Sequence, residues 1–301
     1  MKLAWQFIKQ ILIFSLIVCS FVLLLLLPRE MEVTPFAPLQ YEANFPFTLE
    51  LYKETIDDFV THIKEERGFG ETSSGNNLLS EVERFFNRSL KVILPAFLLS
   101  MIVGTFLGTV QVYFRAHKRG KIMSFISWVF ASIPDFFLFI AIQYMLIIFM
   151  RHGLPQFSLF GHNEWYSFII PLISVMIYPV IHMAKFTVVS MENEMGQDYV
   201  RTVFSKGLTK FDAMKHMIWN CFSPIMNQSQ MVMLYILSSL PIIERISSYN
   251  GAGYQLLVAI LGNEDVRALS FMLPFLFLMF LVVLVTQFLR YWLVPKEVVG
   301  K

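Results

Sequence analysis

The sequence is poor in charge and in cysteine. Only 15% of its 301 residues are charged, whereas 56% are hydrophobic, and the mean hydropathy is +0.59. Soluble globular domains contain about 25% charged residues, so this composition argues against an ordinary soluble domain. The two cysteines, Cys19 and Cys221, are too few for a disulfide framework or a cysteine metal cluster.

The chain also lacks the motifs of several enzyme classes. No G-x-x-x-x-G-K-[ST] loop occurs, so ATP is not expected to bind to this chain. There is no H-E-x-x-H zinc helix and no G-x-S-x-G elbow, and the six histidines are scattered rather than paired at ligand spacing. We therefore expect no catalytic residue, no metal site and no bound cofactor, and the net charge of +2 does not indicate nucleic acid as a partner.

Long apolar runs are what the sequence has in abundance. A bilayer core about 30 Å thick requires roughly 20 helical residues. Six runs reach that length, at residues 8–27, 92–114, 122–150, 165–189, 222–243 and 269–293. They predict an all-α integral membrane protein with about six transmembrane helices. The first run is longer than the apolar part of a secretory signal, and no small-residue cleavage site follows it, so it is predicted to stay as an anchor.

Basic residues predict the orientation. Short loops rich in Lys and Arg stay in the cytoplasm, and the tightest such cluster, between the second and third runs, is Arg115, Lys118, Arg119 and Lys121. Alternation then places both termini in the cytoplasm. The predicted organisation is an N-terminal anchor helix at 1–27, an extracytoplasmic segment at 28–90, and a membrane core at 91–301 that carries a cytoplasmic loop at 190–221.

The cytoplasmic loop predicts two short helices. Asp198 is predicted to cap the first, which runs through Lys206, and Gly207 to end it with a positive φ. Thr209 is predicted to cap the second, with Asp212 completing a capping box. The first helix carries Tyr199, Val203 and Lys206 near one face and Val200 and Phe204 on another. The loop itself contains no segment large enough to bury this partly apolar surface. We therefore expect a partner protein to cover it.

The residues G-Q-D-Y-V-R-T at 196–202 and S-K-G-L-T at 205–209 resemble the coupling loop of ABC importer permeases of the dipeptide, oligopeptide and nickel type. Weaker matches follow the same order along the chain: Leu26-Leu27-Pro28, Gly68-Phe69-Gly70, Ser132-Ile133-Pro134 with Phe136, and Glu244 through Gly251-Ala252-Gly253. The resemblance implies the type I ABC importer permease fold in a bacterial-type plasma or inner membrane.

The resemblance also implies a function and a set of partners. The chain would form a translocation path for peptides or similar small solutes, such as nickel chelates or opines. Its partners would be a second homologous permease, two ABC ATPase subunits that bind ATP and Mg, an extracytoplasmic solute-binding protein and the lipid bilayer. The residues expected to couple to the ATPase are Asp198, Tyr199, Val200, Arg201, Val203, Phe204, Lys206 and Gly207.

Some positions depart from the family pattern. Val203 and Phe204 stand where the family more often has Ala and Arg, Arg29 and Glu30 follow Pro28 in place of Gly-Asp-Pro, and Asn250-Gly251 replaces Pro-Gly. The outer-gate candidates are Glu244, Gly251 and Gly253. The alternative is that the two glycines simply permit a tight outer turn.

Asp135 is the candidate for a path-lining residue. It follows Pro134 near the middle of the third run, where an ionised carboxylate costs at least about 2.5–3.5 kcal/mol. It should therefore face water, a partner side chain or the solute. The alternative is a hydrogen-bonded carboxyl that satisfies backbone groups freed by Pro134.

Two other classes of function remain open at this point. A membrane-embedded enzyme should show His, Asp or Glu converging inside the spans. An ion-coupled secondary transporter usually shows several buried ionisable residues or broken helices. The sequence shows few of these features.

Overall fold

The computed structural model describes residues 2–28, 32–37, 40–44, 47–66, 68–71, 75, 77–153, 155 and 158–293. Arg29, Glu30 and the C-terminal tail lie outside the described residues. The chain divides into two compact units, one formed by Met1–Phe86 and Gln255–Phe277 and the other by Asn87–Tyr254 and Leu278–Lys301.

Helices make up most of the described chain, with one small hairpin in the predicted extracytoplasmic segment. The elements are α1 (Lys2–Leu25), β1 (Glu32–Ala37), β2 (Gln40–Asn44), α2 (Leu49–Glu65), α3 (Leu78–Tyr113), α4 (Lys118–Ser132), α5 (Asp135–Arg151), α6 (Ile169–Glu194), α7 (Asp198–Ser205), α8 (Lys210–Asn220), α9 (Phe222–Asn227), α10 (Ser229–Ile246), α11 (Ala252–Leu261) and α12 (Asp265–Leu293). Strands β1 and β2 pair antiparallel.

The predicted helical membrane fold is confirmed. However, fewer than six unbroken helices among the described residues are long and apolar enough to cross a membrane. By length and composition, four helices of the described chain can cross a membrane, namely α1, α3, α6 and α12. The bent pair of α4 and α5 would make a fifth. The run 222–243 does not form one long apolar helix, because it is divided between α9 and α10.

The break between α4 and α5 follows from one proline. A residue that precedes proline is pushed out of the helical region by the proline ring. Ile133 accordingly has φ −96° and ψ 129°, and Pro134 has φ −59° and ψ 142°. The two helices bend by 106° at this point. The predicted continuous third span is therefore wrong, and Asp135 begins a new helix there.

The first unit is held by an apolar cluster and by one arginine. Leu25, Ala259, Ala268, Leu269 and Met272 form the buried cluster. The guanidinium of a neighbouring arginine, Arg267, donates to Gln255 Oε1 at 2.7 Å and pairs with Glu264 at 3.0 Å and Glu81 at 3.2 Å. A half-buried cation with several acceptors avoids the cost of an unpaired charge.

In the second unit, α3 approaches α6 through two glycines spaced four residues apart. A Cβ at Gly104 would lie 2.8 Å from the Val180 carbonyl oxygen, and one at Gly108 would lie 2.6 Å from the Ala184 carbonyl oxygen. Real Cβ atoms do not come that close to backbone. This small-xxx-small pairing is a frequent way for membrane helices to pack, because it lets the backbones meet. Helix α6 also packs against α4, α5 and α10.

Gly108→Leu should separate α3 from α6. The added side chain would meet the Ala184 carbonyl and the buried Thr187 side chain, and overpacking of this kind costs about 1–3 kcal/mol. We expect a lower unfolding temperature of the purified protein in detergent. Ile102→Phe adds bulk on the exposed side of the same helix and should leave the unfolding temperature unchanged. Equal unfolding temperatures for wild type and Gly108→Leu would contradict the close packing.

Candidate functional site

The first loop helix, α7, does not begin as predicted. Gln197 occupies the N-cap position with φ −75° and ψ 148°, and its side chain makes no capping hydrogen bond. The prediction that Asp198 caps this helix is therefore wrong. Asp198 is the first helical residue, where its carboxylate favours the helix dipole, and it lies 3.5 Å from Arg201.

Helix α7 ends at Ser205, one residue before the predicted Lys206, which is its C-cap residue. Gly207 has φ +76°, a conformation that side chains disfavour, so the predicted positive φ is confirmed. The Gly207 N–H donates to the Phe204 carbonyl at 2.9 Å, and the Leu208 N–H donates to the Val203 carbonyl at 3.3 Å. These bonds satisfy carbonyls that the helix end would leave unpaired.

The capping box of α8 is also confirmed. The Asp212 N–H donates to Thr209 Oγ1 at 3.3 Å, and the Thr209 N–H donates to Asp212 Oδ2 at 3.0 Å. The Thr209 hydroxyl also donates to this carboxylate and holds the pKa of Asp212 below its usual value. Gly207 and Thr209 together fix the short connection between α7 and α8.

The exposed face of α7 is narrower than the sequence suggested. Val200 and Val203 are buried, with 5% and 8% of their surface exposed. The chain itself therefore covers both valines, and neither presents surface to a partner. Phe204 stays 51% exposed, and Arg201 and Lys206 are exposed beside it. The exposed side chains among the coupling candidates are thus Phe204, the cations Arg201 and Lys206, and Asp198, which pairs with Arg201.

Tyr199 ties α7 to the end of α6. Its hydroxyl donates to Glu194 Oε2 at 2.6 Å, and it also hydrogen bonds with Asn220 at the end of α8. Burial and the Glu194 hydrogen bond raise the pKa of Tyr199 well above its usual value. Burial, with a smaller contribution from Glu194, raises the pKa of Cys221 to about 12, so this thiol stays protonated. The sequence analysis did not identify Glu194 as the partner of Tyr199. The available signal was an acidic residue five positions before the tyrosine.

The three outer-gate candidates come together around one carboxylate. Glu244 is fully buried, and its Oε1 accepts a hydrogen bond from the Ser89 hydroxyl at 2.5 Å. Its Oε2 accepts from the Tyr254 N–H at 2.9 Å, and the Gly253 N–H also donates to the carboxylate. A Cβ at Gly251 would overlap both the Glu244 carboxylate and the Ser89 hydroxyl.

Ser89 is the member of this cluster that the sequence reasoning missed. Its oxygen accepts from the Ala252 N–H at 2.8 Å while its hydroxyl donates to Glu244. The adjacent Arg88 donates from its guanidinium to the Asn250 carbonyl, and its own carbonyl accepts from the Tyr249 hydroxyl at 3.1 Å. Residues 88 and 89 of α3 thus hold the whole turn from 249 to 252. No local sequence signal links positions 155 or more residues apart.

A cavity of about 390 Å³ opens at the break between α4 and α5. It is lined by Ala131, Ser132, Ile133 and Pro134 at the break, by Val175, Tyr178 and Pro179 of α6, and by Tyr235, Ser238 and Ser239 of α10. Its hydroxyl groups are suited to hydrogen bonds with a polar solute. Asp135 is the first residue of α5, directly after this lining, but its side chain lies outside the described part of the structure.

The described residues hold no group of three or more His, Cys, Asp or Glu side chains placed to bind a metal ion.

Comparison with known proteins identifies the family. Residues 98–298 match the family described as binding-protein-dependent transport system inner membrane component. The match covers both loop helices, the broken α4–α5 pair and the Glu244 cluster apart from residues 88 and 89.

Relatives of the chain are named as permease proteins of transport systems. A putative peptide transport system permease protein of Brucella abortus is 25% identical over 200 residues, which cover 63% of this chain and 62% of the relative. The dipeptide transport system permease protein of Bacillus subtilis is 26% identical over 204 residues, covering 65% and 60%. The glutathione transport system permease protein of Escherichia coli is 22% identical over 174 residues, covering 58% and 56%. The chain thus spans about three fifths of the length of these relatives. Since the family match extends over most of its sequence, the chain belongs to the ABC permeases that form the inner membrane component of binding-protein-dependent transport systems.

Proposed function

We propose that this chain is a permease subunit of an ATP-driven importer for peptides or similarly sized solutes. A second homologous permease would complete the path, two ABC ATPase subunits would bind ATP and Mg, and an extracytoplasmic protein would deliver the solute. Peptide-type solutes are supported by the names of the relatives from Brucella abortus and Bacillus subtilis. Nickel chelates and opines are the competing solutes.

The arrangement at α7 is the observation that carries the proposal. The eight-residue helix α7 is joined to α6 at one end and to α8, through Gly207 and Thr209, at the other. Its Phe204 side chain is exposed and flanked by cations. The Tyr199–Glu194 hydrogen bond joins it to α6, which is long and apolar enough to cross a membrane. A push on α7 from an ATPase would therefore be passed directly to a membrane helix.

The solute path is proposed to include the cavity at the α4–α5 break. Hydroxyl groups of Ser132, Tyr178 and Ser238 would hydrogen bond to peptide groups of a passing solute. A broken helix is also a feature of ion-coupled transporters. However, the described lining of this cavity contains no Asp, Glu, Lys, Arg or His, which disfavours an ion relay there.

Solute identity is tested by uptake into vesicles that contain the reconstituted importer. We expect ATP-dependent accumulation of a labelled dipeptide that excess unlabelled peptide suppresses and that nickel chelates and opines do not. Suppression by a nickel chelate or an opine alone would reject a peptide as the solute.

Gly207→Val should uncouple transport. A Cβ there meets no atom within 4 Å, so the effect comes only from the positive φ, at a cost on the order of 1–3 kcal/mol. We expect reduced uptake and reduced solute-stimulated ATP hydrolysis with normal membrane insertion. Gly196→Val is the matched control, because its Cβ also meets open space but its φ is not positive. Gly207→Asn should retain more activity, since asparagine tolerates this conformation.

Equal activity of the two valine variants would remove Gly207 from the coupling site.

Phe204→Asp should weaken binding of the ATPase subunits. The change puts a charge into an apolar contact, and a loss of about 1.4 kcal/mol lowers an affinity tenfold. The measurement is the amount of ATPase that co-purifies with the tagged permease. Ser205→Asp introduces the same charge at the next exposed position and serves as control. If both variants retain the same amount of ATPase, Phe204 does not lie in the interface.

Gly251→Ala should disturb the outer turn. The new methyl group would overlap the buried Glu244 carboxylate and Ser89 hydroxyl, with an expected cost of about 1–3 kcal/mol and reduced uptake. Glu244→Asp shortens the acid and makes room. The Gly251→Ala/Glu244→Asp double variant should therefore lose less stability than the sum of the single changes. Strict additivity in thermal unfolding would show that the two residues do not meet.

A further inference from the structure

An apolar groove of about 400 Å³ lies between the last turns of α3 and the second loop helix, α8. Phe106, Val110 and Tyr113 line it from α3, and Phe211, Met214 and Ile218 line it from α8. Phe106 and Phe211 are 65% and 70% exposed, so two aromatic rings stand open at its mouth. Thr109, Tyr113 and Lys215 carry the polar side-chain groups of its described lining. Such a groove offers almost nothing to a polar solute.

The groove continues an exposed apolar stripe of α3. Leu98, Ile102 and Phe106 recur every four residues on one face of the helix and are all strongly exposed. Helix α3 is long and apolar enough to cross a membrane, and Val110 lies one turn farther along the same face. The lining of the groove is therefore continuous with an exposed apolar surface that is suited to contact with lipid chains.

Basic groups gather at this end of α3. Lys215 is part of the lining. The Lys210 ammonium donates to the Tyr113 carbonyl and lies 4.8 Å from the centre of that ring. The Arg119 guanidinium lies 5.8 Å from the ring centre of Phe114, another lining residue. The acid of α8, Asp212, is engaged by Thr209 in the capping box, and Glu192 of α6 is paired with Arg115 at 3.2 Å.

Helix α8 also has the composition of a helix that lies at a membrane surface. Trp219 is strongly exposed and stacks on Phe222 at 6.2 Å. Exposed tryptophan and lysine near apolar side chains are typical of the boundary between lipid and water. In the proposed orientation this boundary is the cytoplasmic one, where anionic headgroups attract basic residues.

We propose that this groove, formed by Phe106, Val110, Tyr113, Phe211, Met214 and Ile218, binds an anionic phospholipid of the cytoplasmic leaflet. One acyl chain lies in the groove, and the phosphate lies at Lys215 with Lys210 beside it. The lipid would then fasten α8 to α3, and the site goes beyond the transport function. Charge complementarity at one end and continuity with the lipid-facing stripe at the other favour a lipid over an apolar segment of an ATPase subunit.

The test is native mass spectrometry of the permease, purified together with its co-purifying subunits and titrated with phosphatidylglycerol. Phosphatidylcholine with identical chains is the comparison lipid. We expect wild type to bind phosphatidylglycerol about fivefold more tightly, which is the effect of one lysine at an anionic surface. Lys215→Glu should remove this preference without changing phosphatidylcholine binding. Val110→Trp fills the groove and should reduce binding of both lipids.

Lys64→Glu makes the same change of charge on α2 and should keep the wild-type preference. An unchanged preference in Lys215→Glu would overturn the headgroup site, and because Lys215 is exposed this variant is expected to fold. Equal binding of the two lipids by wild type would overturn it as well. Lipid binding by the permease alone that is absent from its complex with the ATPase subunits would assign the groove to protein contact and reject the proposal.

Discussion

The hydrogen-bonding groups of the backbone impose the main constraint on this chain. In an apolar environment each unpaired N–H or C=O costs several kcal/mol, so the membrane segments must be helical. Every place where a helix stops then needs another partner for its backbone. The turn after α10 illustrates the solution, because the Glu244 carboxylate accepts from the backbone of 253 and 254 and Ser89 accepts from Ala252. The buried carboxylate thus accepts hydrogen bonds that backbone carbonyls would accept in a continuous helix.

The sequence predicts those features that are set by local chemistry. The positive φ of Gly207 and the Thr209–Asp212 capping box depend on residues within four positions of each other, and both are confirmed. Asp198 failed as a cap although its residue type is well suited, because the N-cap position falls one residue earlier, at Gln197, and Asp198 is already helical. The family and its membrane fold were also predictable, because residues 196–209 resemble a loop of this family and the apolar runs are long enough to span a membrane. Membership in this family also agrees with the prediction that the chain is a membrane component without catalysis of its own.

Contacts between distant positions were not predictable. Ser89 and Glu244 lie 155 residues apart, and nothing in either local sequence indicates that they meet. The burial of Val200 and Val203 also depends on neighbours that the helical pattern of α7 does not specify. The break at Pro134 had a visible signal in the preference of the preceding residue for extended backbone, but the apolar run on both sides suggested one continuous span. Gly104 and Gly108 carried a signal as well, in their spacing of four.

The close approach at Gly104 and Gly108 has a mechanical consequence. Helix α6 ends at Glu194, the residue that accepts the hydrogen bond from Tyr199. Before that end, its Val180 and Ala184 carbonyls lie directly against Gly104 and Gly108 of α3. Two helices in such contact cannot slide past each other without steric overlap. A displacement of the loop helix α7 would therefore move α3 and α6 together, and with them Ser89 and the turn from 249 to 252.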